Sequence, residues 1–436
     1  MTMENMEQKR IAVIGMGAAG SMAAYFAAKN GAQVDLYEKN EKLGKKIYIT
    51  GKGRCNVTNA APFPAFMEGI SHNPKFLFSA FSFFSNRDLM SFFEKYGQRL
   101  KVERGQRVYP VTDHSSDINR ALERALDEMG VQKIKNTKVT AMEISLSDAQ
   151  RRFRIQHQKW NAKRGLPLGK IEESFYSAVI LATGGKSYPS TGSTGDGLLF
   201  AKLMGHHPTA CYPSLVAMEL HDPWCKQLEG LSLRNVSMTI KRGKKKAEQF
   251  GDALFTAKGI SGPIVLTLSS DFCDQDLSDA TMELDWKPAL SEDELITRLL
   301  REREKAPNRQ IRTLLEAFLP RRAVPVFLDV GKLKSDQALH QWKKEEEMRF
   351  IDLLKHFPLH FRAFGSFREA VITRGGIPVQ EVNPKTMESR LQPGLYFCGE
   401  VMDVDGYTGG YNLQIAFSTG AVAGYHAALS IKGGQE

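Results

Sequence analysis

The chain has 436 residues, 42% of them apolar and 25% charged, which suits a soluble globular protein with room for two or three domains. No run approaches the roughly 18 uncharged apolar residues that span a bilayer, and MTMENMEQKR lacks the apolar core of a signal peptide. A cytoplasmic protein without membrane association is therefore expected, and its net charge of +10 favours a polyanionic partner, either nucleic acid or an anionic cofactor.

The first element reads without ambiguity. RIAVIGMGAAGSMAAYFAAKNGAQVDLYEKN opens with a short buried strand, Ile11 to Ile14. Gly15, Gly17 and Gly20 then form GxGxxG at the turn into a helix, Ser21 to Lys29. Gln33 to Tyr37 is a second strand, ended by Glu38. Gly15 permits the tight turn, Gly17 lets backbone N–H groups approach a pyrophosphate, and Gly20 lets helix and strand pack closely. Glu38 can accept from a ribose hydroxyl and repel a 2′-phosphate. Strand, turn, helix, strand and acid together mark a dinucleotide site.

GKKIYITGKGRCNVTN (44–59) follows as a glycine-rich, cationic loop with one thiol and no helical periodicity. An excursion of this kind suits FAD better than NAD, because it can wrap the cofactor and reach the flavin. Cys55 beside Lys52 and Arg54 is the leading proton-donor candidate, although neighbouring cations depress a thiol and suit a nucleophile better. Tyr188, Tyr407 and Tyr411 are alternatives. Phe78, Phe81, Phe83 and Phe84 read as a core helix or as the lining of an apolar pocket.

VILATGGKSYPSTGSTGDG (179–197) is a buried strand, a Thr183-Gly184-Gly185 turn and a second glycine-rich stretch feeding a helix. From His206 to Phe364 the texture changes. Asn235 to Ile240 and Ala247 to Phe255 read as a hairpin with KRGKKK at its tip, namely Lys241, Arg242, Lys244, Lys245 and Lys246 around one glycine. GISGPIVLTLSS and ATMELDWKP continue with β character. Ser291 and Glu294 form a capping box that starts a helical stretch, and Ser335 to Leu354 is again helical. Arg298, Arg301, Arg303, Lys305, Arg309, Arg312, Arg321 and Arg322 crowd this region. Such a run is either a solvated face or a phosphate-binding surface, which makes affinity salt-dependent. An RNA reader also wants exposed aromatics, for which Tyr188, Trp224, Phe255 and Tyr407 are candidates. HFPLHFRAF and EAVITRGG return as strands to the FAD-binding domain. GLYFCGEVMDVDGYTGGYNLQ (394–414) supplies a last strand, Gly399-Glu400, Asp403, Asp405, and Gly409-Gly410 opening a final helix. That helix terminus can stabilise negative charge on a reduced flavin. The five cysteines, Cys55, Cys211, Cys225, Cys273 and Cys398, form no CxxC pair, against a disulfide framework or a zinc site. No metal ligands are expected.

These segments give an α/β fold: a Rossmann-like FAD-binding domain in two parts (1–205 and 371–436), which resembles the glutathione reductase and fumarate reductase kind. An inserted β-rich domain (206–287, with a return strand at 356–370) carries a small helical subdomain (288–355).

GKKIYITGKGRCNVTN, ATGGKSYPSTGSTGDG, LFTAKGISGP and the stretch from TRGGIPV to IAFSTG also resemble the YhiN-type and BaiN-type flavoprotein oxidoreductases over nearly the whole chain. Ala257 and Lys258 depart from the pattern, where many members carry a histidine after LFT. The resemblance implies FAD, with contacts added at Ala18, Ala19, Lys39, Lys46, Thr50, Gly51, Gly53, Arg54, Cys55, Asn56, Val139, Ala182, Tyr411, Asn412 and Leu413. There is no second GxGxxG, so NADPH or NADH, the expected reductant, binds transiently over the flavin, or reduction comes from elsewhere. The resemblance further implies one of three activities: reduction of a uridine in 23S ribosomal RNA to dihydrouridine; reduction of a small-molecule enone such as a bile acid; or aminoacetone oxidase-like amine oxidation. A non-catalytic flavin-containing RNA-binding factor is a competing reading. In the two reductions, hydride reaches the β-carbon of a C=C–C=O system and a proton reaches the α-carbon.

Overall fold

The structure is a computed structural model that describes residues 10–147 and 150–432. The chain folds into two compact units, one running to Pro213 and resuming at Ala370, the other Ser214–Glu369. Residues 206–213, expected to open the insertion, group with the first unit.

The first unit is built on a five-stranded parallel sheet. Its strands are β1 (Arg10–Ile14), β2 (Gln33–Tyr37), β3 (Gln132–Ile134), β4 (Ala178–Leu181) and β5 (Leu395–Phe397), in the order β5-β4-β1-β2-β3. Ile11 lies beside Ala178 on one side and Val34 on the other. The chain direction across the sheet therefore reverses between β1 and β4, where an open α/β sheet leaves a crevice at its strand ends. β1 is apolar throughout Ile11–Ile14 because both of its faces are buried. Helix α1 (Ala18–Lys29) starts three residues earlier than Ser21 and packs against the last helix, α2 (Tyr411–Ser430). Small residues set that contact. A methyl group on Gly420 or Gly424 would overlap the carbonyl oxygens of Ala19 or Ala23. An antiparallel meander, Thr137–Ser147, Gln150–Asn161 and Leu166–Tyr176, fills the stretch before β4.

Two local expectations change. The loop after β2 contains a short helix, Lys45–Ile49, followed by a tight turn over Thr50–Gly53 in which Gly51 and Lys52 are left-handed. Phe78–Phe83 is a helix whose Phe81 is buried, whereas Phe78 and Phe83 are exposed.

The second unit is a seven-stranded antiparallel sheet with helices. Its long hairpin, Ser232–Arg242 with Lys245–Thr256, pairs on through Thr281–Asp285 to Phe357–Leu359. Phe361–Phe364 closes the opposite edge, so HFPLHFRAF completes this sheet and not the FAD-binding one. GISGPIVLTLSS is mostly helical, Pro263–Phe272, with Pro263 at its first position. The Ser291 capping box forms: Glu294 N–H donates to Ser291 Oγ at 3.2 Å, and Ser291 N–H to Glu294 Oε2 at 2.8 Å. The last helix begins only at Lys344, not at Ser335. Trp224 and Phe255 are buried in this unit's aromatic core with Trp286, Phe327 and Phe357, so neither can stack on an RNA base. No helix among the described residues is long and apolar enough to cross a membrane.

Candidate functional site

The three glycines after β1 do different work. Gly15 has φ 107°, and a methyl group there would strike the Ala182 carbonyl. One on Gly20 would overlap the Gly15 carbonyl oxygen, so Gly20 lets α1 sit on the strand. Gly17, the residue preceding α1, is different: a methyl group there meets no protein atom within 4 Å. The fold does not require its glycine. It opens into a cavity bounded by Met16, Ala18, Ala19 and the turn at Ala182, Thr183 and Gly184. No acid occupies the first turn of α1, so the partial positive charge of the helix end stays available to an anion.

Glu38 closes one side of this cavity. Its Oε2 accepts from Met16 N–H at 3.0 Å, and its Oε1 from Asn40 N–H at 2.8 Å and Asn40 Nδ2 at 2.7 Å. Burial pushes its carboxyl up, and those donors offset part of the shift. Beside it, Lys39 donates to Thr194 Oγ1 at 2.6 Å and to Asp196 Oδ2 at 2.8 Å. Val139 comes in from the meander with Thr137 and Lys138.

Lys46, Thr50, Glu400, Asn412 and Leu413 also border the cavity. Lys46 Nζ donates to Glu400 Oε2 at 2.7 Å and to Ser187 Oγ at 2.6 Å. Ser187 Oγ donates to Glu400 Oε1 at 2.6 Å, and Thr373 N–H to the same oxygen at 2.8 Å. One carboxylate thus ties together the cationic loop, the ATGGKS turn, the strand Ile372–Arg374 and the C-terminal segment. The α2 terminus is held equally firmly. Gly410 precedes the helix with φ 97°, where a methyl group would overlap the Thr58 backbone. Asn412 fixes the loop before it, accepting from Gly406 N–H at 2.8 Å and donating to Gly406 O at 2.6 Å.

Of the residues expected at a cofactor, Gly15, Gly17, Ala18, Ala19, Glu38 and Lys39 border the cavity, as do Lys46, Thr50, Val139, Ala182, Thr183 and Gly184, and the C-terminal Glu400, Asn412 and Leu413. Gly20, Gly185, Gly399 and Gly410 stand behind it as packing positions; at Gly185 a methyl group would displace Thr373 from Glu400. Gly51, Gly53 and Asn56 lie outside its wall. The cavity also takes in Met16, Lys45, Gly192, Ser193, Asp196, Ile372 and Cys398, which sequence reasoning missed as site residues. The TGSTGDG stretch was the signal for three of these.

Five expected residues are corrected. Arg54 turns away from the cavity, bonding Glu103 at 2.5 Å and Asp113 at 2.6 Å and stacking 4.2 Å from the Tyr109 ring centre. Cys55 is therefore not activated by it. The thiol is fully buried, and burial pushes it up to about 12, opposite to the expected direction. Asp405 does not border the cavity: it is fully buried and paired with Arg374, whose Nη2 donates at 3.0 Å. Tyr411 packs edge-on against Phe66 at 5.0 Å, and burial raises its phenol. The carbonyl of Tyr188 anchors a turn to Thr191, and its ring, like that of Tyr411, does not border the cavity.

In the second unit the hairpin tip is partly neutralised. Arg242 pairs with Asp279 at 3.2 Å, Lys246 lies 3.7 Å from Glu248, and Lys245 bonds the Asp271 carbonyl and sits over Phe272. Lys241 and Lys244 are exposed without an ion pair among the described residues. Arg298, Arg303 and Arg322 are likewise engaged, by Ala317 O, Glu347, and Gln227 O with Glu229 O. Lys305 pairs with Glu302, and Arg321 with Glu316. Arg301, Arg309 and Arg312 are exposed and form no ion pair among the described residues.

Known proteins resemble this chain along its whole length. The 3-dehydro-bile acid delta(4,6)-reductase of Clostridium scindens is 31% identical over 424 residues, covering 96% of this chain and 99% of its own. The ribosomal RNA dihydrouridine synthase of Haemophilus influenzae is 30% identical, covering 96% of this chain and 97% of its own. Among solved structures, the 3-ketosteroid delta1-dehydrogenase of Sterolibacterium denitrificans shares the fold with a TM-score of 0.51 at 12% identity, over 97% of this chain and 100% of its own. The architecture is a Rossmann-type FAD-binding fold, and the match to the HI0933-like protein Rossmann domain runs over residues 9–426; the chain belongs to that family.

Proposed function

We propose that this protein is an FAD-dependent, NAD(P)H-driven reductase of an activated carbon–carbon double bond, and that its substrate is a uridine of ribosomal RNA. The finding that supports the reaction type is that two of the relatives bear names for one chemical operation, and the open space above Gly17 supports a bound dinucleotide. Making dihydrouridine from uridine and reducing a bile-acid delta(4,6) system both saturate a C=C bond.

The residues fit the cofactor. Backbone N–H groups at Gly17 to Ala19 meet a pyrophosphate, and the Glu38 carboxylate accepts from a ribose hydroxyl. The N–H groups of Asn412 and Leu413, at the start of α2, face negative charge. Lys46, Ser187 and Glu400 supply a hydrogen-bonded rim. FAD, when bound and reduced, would supply hydride for the β-carbon of the substrate. The protein must position the double bond, polarise the adjacent carbonyl and provide a proton.

RNA is favoured over a small molecule by the +10 net charge and by the exposed Lys241, Lys244, Arg301, Arg309 and Arg312 of the second unit. The 31% identity to a bile-acid reductase supports the second reading, a small-molecule enone. Purified protein, FAD and NAD(P)H incubated with ribosomal RNA from a strain lacking the gene should form dihydrouridine, read by nucleoside mass spectrometry. Reduction of an enone with no dihydrouridine would select the second reading. Reduction of neither would refute both.

A further inference from the structure

Trp224 and Phe255 are buried, so an RNA substrate needs a stacking surface elsewhere. The first unit carries one beside the end of the cavity that Asn412 and Leu413 border. The strand Thr58–Asn59 lies directly against the start of α2. Thr58 Oγ1 donates to Gln414 Oε1 at 2.6 Å, and the Asn59 amide donates to the Gly409 carbonyl at 3.2 Å.

The same amide donates at 3.0 Å to the carbonyl of Gly105, in the tight turn Arg104–Gln106. Gln106, left-handed at φ 59°, accepts from Ala60 N–H at 2.7 Å. One side chain thus fixes the turn to the residues that open α2. Arg104 lies in this turn and Arg107 just after it; both are exposed, and neither forms an ion pair among the described residues. Glu103, directly across the sheet from Arg107, is held by Arg54 at 2.5 Å and Lys101 at 3.4 Å. Burial raises the Tyr411 phenol, Arg107 lowers it and Glu68 raises it further, so both charges are felt at the start of α2.

The short helix Phe63–Glu68 begins three residues beyond Ala60, at most about 11 Å away along the chain. Its Phe66 packs on Tyr411. Its Phe63 is 40% exposed and meets Phe78, 45% exposed, edge-on at 5.6 Å. Exposed phenyl rings close to exposed cations and next to a ligand cavity mark an interaction surface.

Resting on the reading above, we propose that this corner grips single-stranded ribosomal RNA beside the reacting uridine: Arg104 and Arg107 take phosphates, and Phe63, braced by Phe78, stacks on a flanking base. A uridine inside a duplex cannot present its C=C bond to a cofactor, so the base must leave its stack. Phe63 replaces the stacking partner that the neighbouring base has lost. The two guanidinium groups hold the displaced backbone. A steroid or other small enone offers them no phosphate.

The test uses full-length holoprotein with the double variant Arg104→Ala, Arg107→Ala, with Phe63→Ala and with Phe63→Tyr. The probes are a fluorescein-labelled oligouridine and inorganic polyphosphate. The double variant should bind both polyanions more weakly, with the slope of log K against log salt lower by about 1 to 2. Phe63→Ala should weaken oligouridine binding about five- to 100-fold at an unchanged slope and leave polyphosphate binding alone, and Phe63→Tyr should retain both. All these side chains are exposed, so FAD content and Tm should stay at wild-type values. Dihydrouridine formation in ribosomal RNA should fall in step with oligouridine affinity. If wild type makes dihydrouridine, a double variant with the wild-type slope, or Phe63→Ala with wild-type oligouridine affinity, would overturn this surface alone. A wild type that reduces an enone and makes no dihydrouridine would overturn the RNA reading, and this surface with it.

Discussion

At the scale of single residues, Gly17 and Gly20 separate binding from folding. Gly20→Ala drives a methyl group into the Gly15 carbonyl and should cost about 3 kcal/mol, read by denaturant unfolding of the apoprotein. Gly17→Ala meets only open space. It should leave apoprotein stability nearly unchanged and weaken FAD binding at least about tenfold, since a methyl group there stands where the pyrophosphate must approach. Equal losses of stability in the two variants would contradict this division. Glu38 makes a pH prediction. Burial raises its carboxyl above the ordinary glutamate value, so the native state keeps a proton that the unfolded chain has already released. Its contribution to apoprotein stability is therefore lost as pH rises from that ordinary value through the folded one. Glu38→Gln abolishes the titration, and its Tm relative to wild type should climb across that window; a constant difference would show that Glu38 does not titrate as described.

At the scale of elements, the central device is the close crossing of the first and last helices. Gly420 and Gly424 place α2 directly on the backbone of α1, and the N-termini of both helices border the same cavity. Gly424→Ala should force the helices apart and lower both Tm and FAD affinity; loss of neither would show that the crossing is loosely packed. This is also the scale at which the sequence was most and least readable. The βαβ unit could be read because its constraints are local: a turn, a helix start and an acid at fixed spacing. GISGPIVLTLSS was misassigned because a short apolar run does not distinguish strand from helix, although Gly262-Pro263 was a helix-start signal. Arg54 and Lys52 neighbour Cys55 in sequence, but the left-handed turn sends Arg54 to Glu103 and Asp113.

At the scale of the whole molecule, charge belongs to the choice of substrate. A basic surface that binds ribosomal RNA through phosphates must lose affinity steeply with salt. Reversing Arg301, Arg309 and Arg312 to Glu should weaken RNA binding, and the slope of log K against log salt should fall by about 2 to 3. FAD content should be unaffected. An unchanged slope would place the RNA contacts elsewhere.

All of this depends on one FAD held jointly by the GxGxxG turn, the ATGG turn and the C-terminal helix. Flavin fluorescence titration of the purified apoprotein tests it directly. The prediction is saturable quenching at one FAD per chain, lost in Gly17→Val, with the visible flavin band retained through gel filtration. A protein that stays colourless in excess FAD, or that quenches it equally well with Gly17→Val, would contradict the account.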